Sequence, residues 1–420
     1  MSTSVAVPRA LPGCAHESGA AISAPAATTR ERAGSDRRIA RLALTSSMVV
    51  SFLAASAAPT PLYDRYEAVW HSTPLIGTIA FAVYALAVLA GLLWLGELAT
   101  HLGRRTVLLA AVAGQVVALI LFALAGSFEP ILIGRVIQGL AAGAALGALS
   151  ATMIESDPDR GAVASAASPT AGSGLGALVS GVVVQFLPAP THTVYLLLIV
   201  VLALQAFGVA RLIDATPRRR VPRSALRPRI AIPAAARPTF LASAPIMFAV
   251  WSLGGFYGAL SPALYRSLSG DTSVWRSALA LFLLACVGSA TTIALRRVGG
   301  RALTITGAVM LVTGLIGTVI AVQTGSVALY LAVSALAGVG FGAGFQGPIR
   351  TLVPLADPAQ RPGMLSAVFI IAYVGLGLPA VIAGALVSSG ASLTTVAVAL
   401  ALVLAALTAA ALVATLRGEH

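Results

Sequence analysis

The sequence predicts an all-α polytopic membrane protein of twelve transmembrane helices in two six-helix repeats, and three observations carry that expectation. Of 420 residues, 58% are hydrophobic and 10% charged, with a mean hydropathy of +0.93. Most of such a chain cannot face water without exposing apolar patches far larger than soluble proteins tolerate. Twelve apolar segments follow one another, each of about 20 residues or more, and a helix rising ~1.5 Å per residue then crosses a roughly 30 Å hydrocarbon core. An arginine-rich, proline-containing stretch at 213–238 divides six segments from six. Unbroken apolar runs call for helices, since barrel strands alternate.

Taken in order, residues 1–41 are rich in Ala, Ser, Pro and Arg with no apolar run before Leu42, and read as a disordered cytoplasmic tail. The first long apolar segment begins too late for a secretory signal. Segments at 42–62, 73–98, 106–126, 130–154, 161–187 and 192–212 form an N-terminal bundle over 42–212, whose first helix is broken at its end by Pro59 and Pro61. The linker 213–238 carries Arg218, Arg219, Arg220, Arg223, Arg227 and Arg229. Segments at 239–263, 274–295, 302–323, 327–349, 362–387 and 392–416 form the C-terminal bundle over 239–416. Gly254, Gly255 and Gly258 are expected to thin or break the seventh helix near mid-membrane. A shift of 199 residues lays Gly139 on Gly338 and Gly143 on Gly342, and a shift of 197 lays Gly103 on Gly300. This is the weak internal similarity of parallel repeats related about the membrane normal.

All 27 basic residues are arginine, and they cluster at the ends of apolar segments. The partner they imply is the lipid bilayer, not nucleic acid. Twenty-three lie on one side of the predicted membrane, Arg65, Arg266 and Arg276 on the other, and Arg135 inside. The bias places both termini in the cytoplasm, and the Ala- and Arg-rich composition points to a bacterial cytoplasmic (inner) membrane. Cys14 and Cys286 make neither a disulfide framework nor a metal site. No phosphate-binding loop or dense carboxylate, His or Cys cluster appears in the sequence. It therefore predicts no cofactor, no enzyme and no direct use of ATP.

Two motifs carry the functional reading. Gly96, Thr100, His101, Gly103, Arg104 and Arg105 form a tight basic loop between the second and third helices, with glycines for the reversal and arginines for the headgroups. Arg135, Gln138 and Gly139 interrupt the apolar fourth helix, where a charge is costly and functional by default. Glu155, at the end of that helix, reads as a solvated loop charge. Together these residues resemble the major facilitator superfamily of secondary transporters, and the fifth-helix run Gly172, Gly176, Ser180 and Gly181 adds a resemblance to its bacterial drug or metabolite:proton antiporters. The resemblance implies a loop that latches the halves on the cytoplasmic side, weakened here because Thr100 stands where the family has Asp, and His101 where it has a basic residue. It also implies a cavity lined by the fourth helix, and an antiporter-like glycine motif at Gly172, Gly176, Ser180 and Gly181, with Ala177 in place of the family's Pro.

The substrate cavity is expected to be aromatic: Trp251, Phe256 and Tyr257, with Gln346 and Tyr373 from later helices. With no acid at mid-helix, a bound molecule would be held by stacking and a few hydrogen bonds. The expected function is export of a small, mostly apolar molecule by alternating access, as a proton antiporter. The alternatives are uptake by proton symport and a non-transporting membrane receptor on the same fold. The coupling group is expected to be Asp64, paired with Arg135, since the resemblance makes the first and fourth helices neighbours across the cavity.

Overall fold

The structure is a computed structural model that describes residues 24–215, 219–222 and 227–417. Residues 1–23, with Cys14, and Arg218 and Arg223 of the linker lie outside the described residues. All regular secondary structure among the described residues is helical.

The first half holds α1 (Ala24–Ala57), α2 (Tyr63–Val69), α3 (Pro74–Ala90), α4 (Leu98–Leu102), α5 (Arg104–Ala123), α6 (Phe128–Ser156), α7 (Pro158–Phe186) and α8 (Pro190–Leu212). The expected tail is corrected over 24–41, which is helical. Its arginines find a partner that sequence could not reveal: Arg37 and Arg41 reach Asp214, just past α8, at 2.8 and 3.3 Å. At the other end α1 stops before Pro59 and Pro61 and passes through a 3-10 turn, Thr60–Leu62, into α2, as expected of residues that lack an N–H. Past α3 the chain widens into a π-turn, Gly91–Leu95.

The second half holds α9 (Arg237–Ala259), α10 (Ser261–Ser269), α11 (Val274–Ser277), α12 (Leu279–Ala294), α13 (Gly300–Thr324), α14 (Val327–Leu352), α15 (Arg361–Ser388) and α16 (Leu393–Arg417). Among the described residues eleven helices are long and apolar enough to cross a membrane, and α12 is a shorter apolar one. The eighth segment, expected as one helix over 274–295, is broken at Ala278 into α11 and α12. The break follows a turn built on Asp271, whose carboxylate accepts from the Ser273 N–H at 2.8 Å and the Arg276 guanidinium at 2.9 Å. Those two bonds hold its pKa below the ordinary carboxylate value. Nor do Gly254, Gly255 and Gly258 break α9. A Cβ at Gly255 would lie 3.0 Å from the Leu376 carbonyl carbon, and one at Gly258 2.7 Å from Phe81, so these glycines let α15 and α3 approach closely.

Packing repeats between the halves. In the first, α3 and α5 pack on α6, α1 on α7 and α5 on α8; in the second, α12 and α13 pack on α14, α9 on α15 and α13 on α16. The aligned glycines occupy equivalent contacts. A Cβ at Gly139 would sit 2.7 Å from Tyr84 O of α3, and one at Gly338 2.7 Å from Leu284 O of α12. The halves meet along two seams, α3 on α15 and α7 on α12, and the helix correspondence converts one seam into the other. Apolar side chains such as Leu124, Leu204 and Leu241 stand exposed on the outside, a surface suited to lipid and not to water.

Candidate functional site

Proline shapes the first part of the site. The Ala55 carbonyl would ordinarily accept from the N–H four residues on, and that residue is Pro59. Gln138 Nε2 fills the gap, donating to Ala55 O at 3.2 Å. Beside it, Arg135 is fully buried. Its guanidinium donates to Ser56 O and Gln138 Oε1, both at 2.8 Å, and to the Tyr63 hydroxyl at 2.6 and 3.1 Å. The guanidinium carbon lies 5.3 Å from the Tyr84 ring centre and 5.6 Å from that of Phe122, within cation–π range. Arg135 and Gln138 thus bind α6 to the end of α1.

The expected Asp64–Arg135 pair is not formed. Successive residues of a helix point about 100° apart, so Tyr63 turns to Arg135 and Asp64 turns to the other half, where it pairs with Arg266 of α10. Further cross-half contacts accompany this pair: Leu75 N–H donates to Ser388 Oγ at 3.1 Å, and Val274 N–H to Gln185 Oε1 at 2.9 Å. All three lie on the face opposite the linker, so the halves are joined there. Arg266, Tyr63 and Tyr84 were missed in the sequence. A signal for Arg266 was present, since Asp64 and Arg266 follow the first and seventh helices, which correspond under the repeat.

Aromatic side chains meet between the halves. Trp251 of α9 packs against Phe345 of α14 at 5.2 Å and Tyr373 of α15 at 5.1 Å between ring centres. Trp251 touches the cores of both halves, and Tyr373 is buried in that of the first. The indole Nε1 of Trp251 is buried with no hydrogen-bond partner among the described residues. Gln346, next to Phe345, is half-buried. Phe256 and Tyr257, expected in the cavity, are instead packed within the second half: Tyr257 stacks on Tyr330 at 6.1 Å and its hydroxyl lies 2.8 Å from Ser334 Oγ. Helix periodicity explains this, for Tyr257 lies six residues past Trp251 and so points roughly 120° away from it around the helix.

The family model of the Major Facilitator Superfamily matches residues 41–377. The chain belongs to the major facilitator superfamily. Members of this superfamily are transporters and not enzymes, and this one is a multi-pass membrane transporter. A comparison with curated proteins finds no match.

In this facilitator the loop motif ties first-half elements to one another and to the linker. Arg104 pairs with Glu155, which is therefore no free loop charge. Thr100 Oγ1 donates to Glu97 O at 2.6 Å and lies 2.9 Å from His101 Nδ1. His101 O accepts from the Arg219 N–H at 2.7 Å, and Glu97 lies 3.8 Å from Arg229. Gly103 has a φ of +84°, which a side chain would strain, Gly96 precedes α4, and Arg105 is half-buried.

The facilitator's α7 glycines divide between two faces. A Cβ at Gly172 would lie 2.6 Å from Val50 O and one at Gly176 2.6 Å from Ala54 O, both on α1. Ser180 Oγ donates to Ala58 O at 2.6 Å. Gly181 faces the other half, where a Cβ would lie 2.9 Å from Trp275 Cα. Gly172, Gly176 and Ser180 therefore pack the first bundle, and Gly181 faces the other half.

Proposed function

We propose that this facilitator exports a small, mostly apolar molecule by alternating access as a proton antiporter, in a bacterial cytoplasmic membrane with both termini inside. The observation that carries the reading is the cross-half joint around Asp64 and Arg266, on the face opposite the arginine-rich linker. With the linker cytoplasmic by its charge, the joint is an outer gate. The aromatic group of Trp251, Phe345 and Tyr373, with Gln346 beside it, supports an apolar, flat substrate, and the outer carboxylates, Asp64 among them, support a protonation step at the gate. In liposomes under an imposed pH gradient, substrate gathering on the acidic side supports antiport. Gathering on the alkaline side means symport, and no movement leaves the receptor.

Two expected results follow from the geometry. Trp251→Phe keeps a ring and removes the unpartnered N–H. For a substrate bearing a hydrogen-bond acceptor, KM should rise about tenfold with little change in kcat, and the stability of the empty protein should not fall. Unchanged KM values for every substrate would remove Trp251 as a donor. Asp64→Asn breaks the gate pair. Because the pair is part-exposed, at 23% and 45% of its side chains, it contributes at most about 1 kcal/mol. Outward-facing molecules should therefore rise several-fold in cysteine-labelling experiments, without loss of fold.

A further inference from the structure

Between the halves, at the gate, lies a partly open space of about 50 Å³, room for one or two water-sized occupants. The first half lines it with Thr60, Tyr63, Asp64, Glu67, Gly77 and Thr78; the second half contributes apolar side chains, among them Leu260, Val387 and Leu393. Its charges do not balance. Asp64 is paired with Arg266, while Glu67, half-buried one turn further along α2, makes no ion pair among the described residues. The charged groups that bear on Glu67 are Asp64 from its own helix and Arg266 from α10, and the α3, α15 and α16 residues lining the space are uncharged. Two carboxylates thus share one guanidinium, and a like charge beside a poorly solvated carboxylate favours uptake of a positive charge.

A second observation is independent of the acids. Thr60 lines the same space, is 3% exposed, and its hydroxyl has no hydrogen-bond partner among the described residues. Helical threonines ordinarily return their hydroxyl to a carbonyl of the preceding turn, as Thr78 does to Leu75 O at 2.8 Å. Thr60 leaves its oxygen unused in a small space that lacks one positive charge.

We infer that the space between Thr60, Asp64 and Glu67 is a binding site for one monovalent cation, and that its occupancy holds the outer gate shut. The missing charge is a single one, and no group of three or more His, Cys, Asp or Glu among the described residues is placed to hold a metal ion, which disfavours a divalent ion. A proton on Glu67 and a sodium ion shared by Glu67 and Thr60 Oγ1 satisfy the same charge balance. Both halves line the site, so it is complete only when they are joined, and an ion that prefers the complete site shifts the population toward closure. This inference rests on the reading of the joint as an outer gate.

The test uses the full chain in lipid nanodiscs with Cys14→Ser and Cys286→Ala. One sample carries Ala263→Cys, a reporter inside the space, and another carries Ser392→Cys, an exposed control that corrects for thiol ionisation. The ratio of their rates with a bulky maleimide is read against pH without sodium, and against sodium at fixed pH. The ratio should fall about tenfold, the effect of a one-unit difference in proton affinity between the two states. A fall on acidification assigns the proton, and a fall on sodium addition assigns sodium. Glu67→Gln should keep the ratio low and flat. Gly77→Ala, whose Cβ would lie 2.7 Å from Glu67 Oε1, should displace the carboxylate and weaken the response while α3 stays folded. A ratio indifferent to both ions, or one responding equally in Glu67→Gln, overturns the site. If the ratio responds while no gradient drives substrate in liposomes, the site stands and the antiport reading fails.

Discussion

Arg135→Ala is expected to abolish transport and to lower the thermal stability of the purified protein together. The substitution removes four hydrogen bonds and leaves Ser56 O, Gln138 Oε1 and the Tyr63 hydroxyl without their donor in a buried site. Breaking such a buried charged network costs roughly 3–5 kcal/mol. The sequence alone favours a variant that inserts and folds normally but does not turn over, because the one partner expected for the charge there, Asp64, is a coupling group and not a structural one. The structure supplies the partners, so the fold suffers as well. Arg135→Lys should recover only part of either property, since one ammonium cannot reproduce the planar fork that meets Tyr63 and Ser56 at once. Wild-type transport and melting temperature in Arg135→Ala would refute the network's importance.

Gly176→Val should leave almost no folded transporter. A Cβ at this position is already inside contact distance of the Ala54 backbone on α1, and backbone cannot move aside as a side-chain tip does. Helix α1 would have to shift away from α7 along its length, with a cost above about 4 kcal/mol. Gly147→Ala is the matched control, because its nearest neighbour, Gly96 O, is 3.9 Å from the added carbon. The monodisperse fraction after detergent extraction measures both. A monodisperse Gly176→Val protein would show that α1 and α7 do not require this contact.

Apolar length and arginine placement made the helices legible, because bilayer thickness dictates both. Segment ends were readable where proline or glycine marks them, as at Pro59 and Gly103. The break at Ala278 was hidden because the Asp271 turn that precedes it has no apolar signature. Arg135, Gln138 and the α7 glycines stood out as exceptions within apolar runs, but their partners did not. Tyr63, Ser56 and Ala55 lie 72, 79 and 83 residues away from their partners, and only tertiary structure brings a carbonyl orphaned by Pro59 against a glutamine of α6. Tyr257 was misread for the same reason: an aromatic on a membrane helix shows its type in sequence but not the direction in which it points.

The likeness of the halves in packing does not extend to electrostatics. Under the 199-residue correspondence Arg135 falls on Ser334, whose hydroxyl meets Tyr257 at 2.8 Å. One half fills the position with a guanidinium, the other with neutral hydroxyls. Among the described residues Arg135 is the only charged side chain that is buried. A transmembrane voltage, worth about 2.3 kcal/mol per unit charge per 100 mV over the full thickness, therefore acts at depth on the first half and finds no buried charge in the second. In the proposed alternating-access cycle the electrical work on buried charge falls on the first half, and a molecule symmetric in its helices responds asymmetrically to the membrane potential.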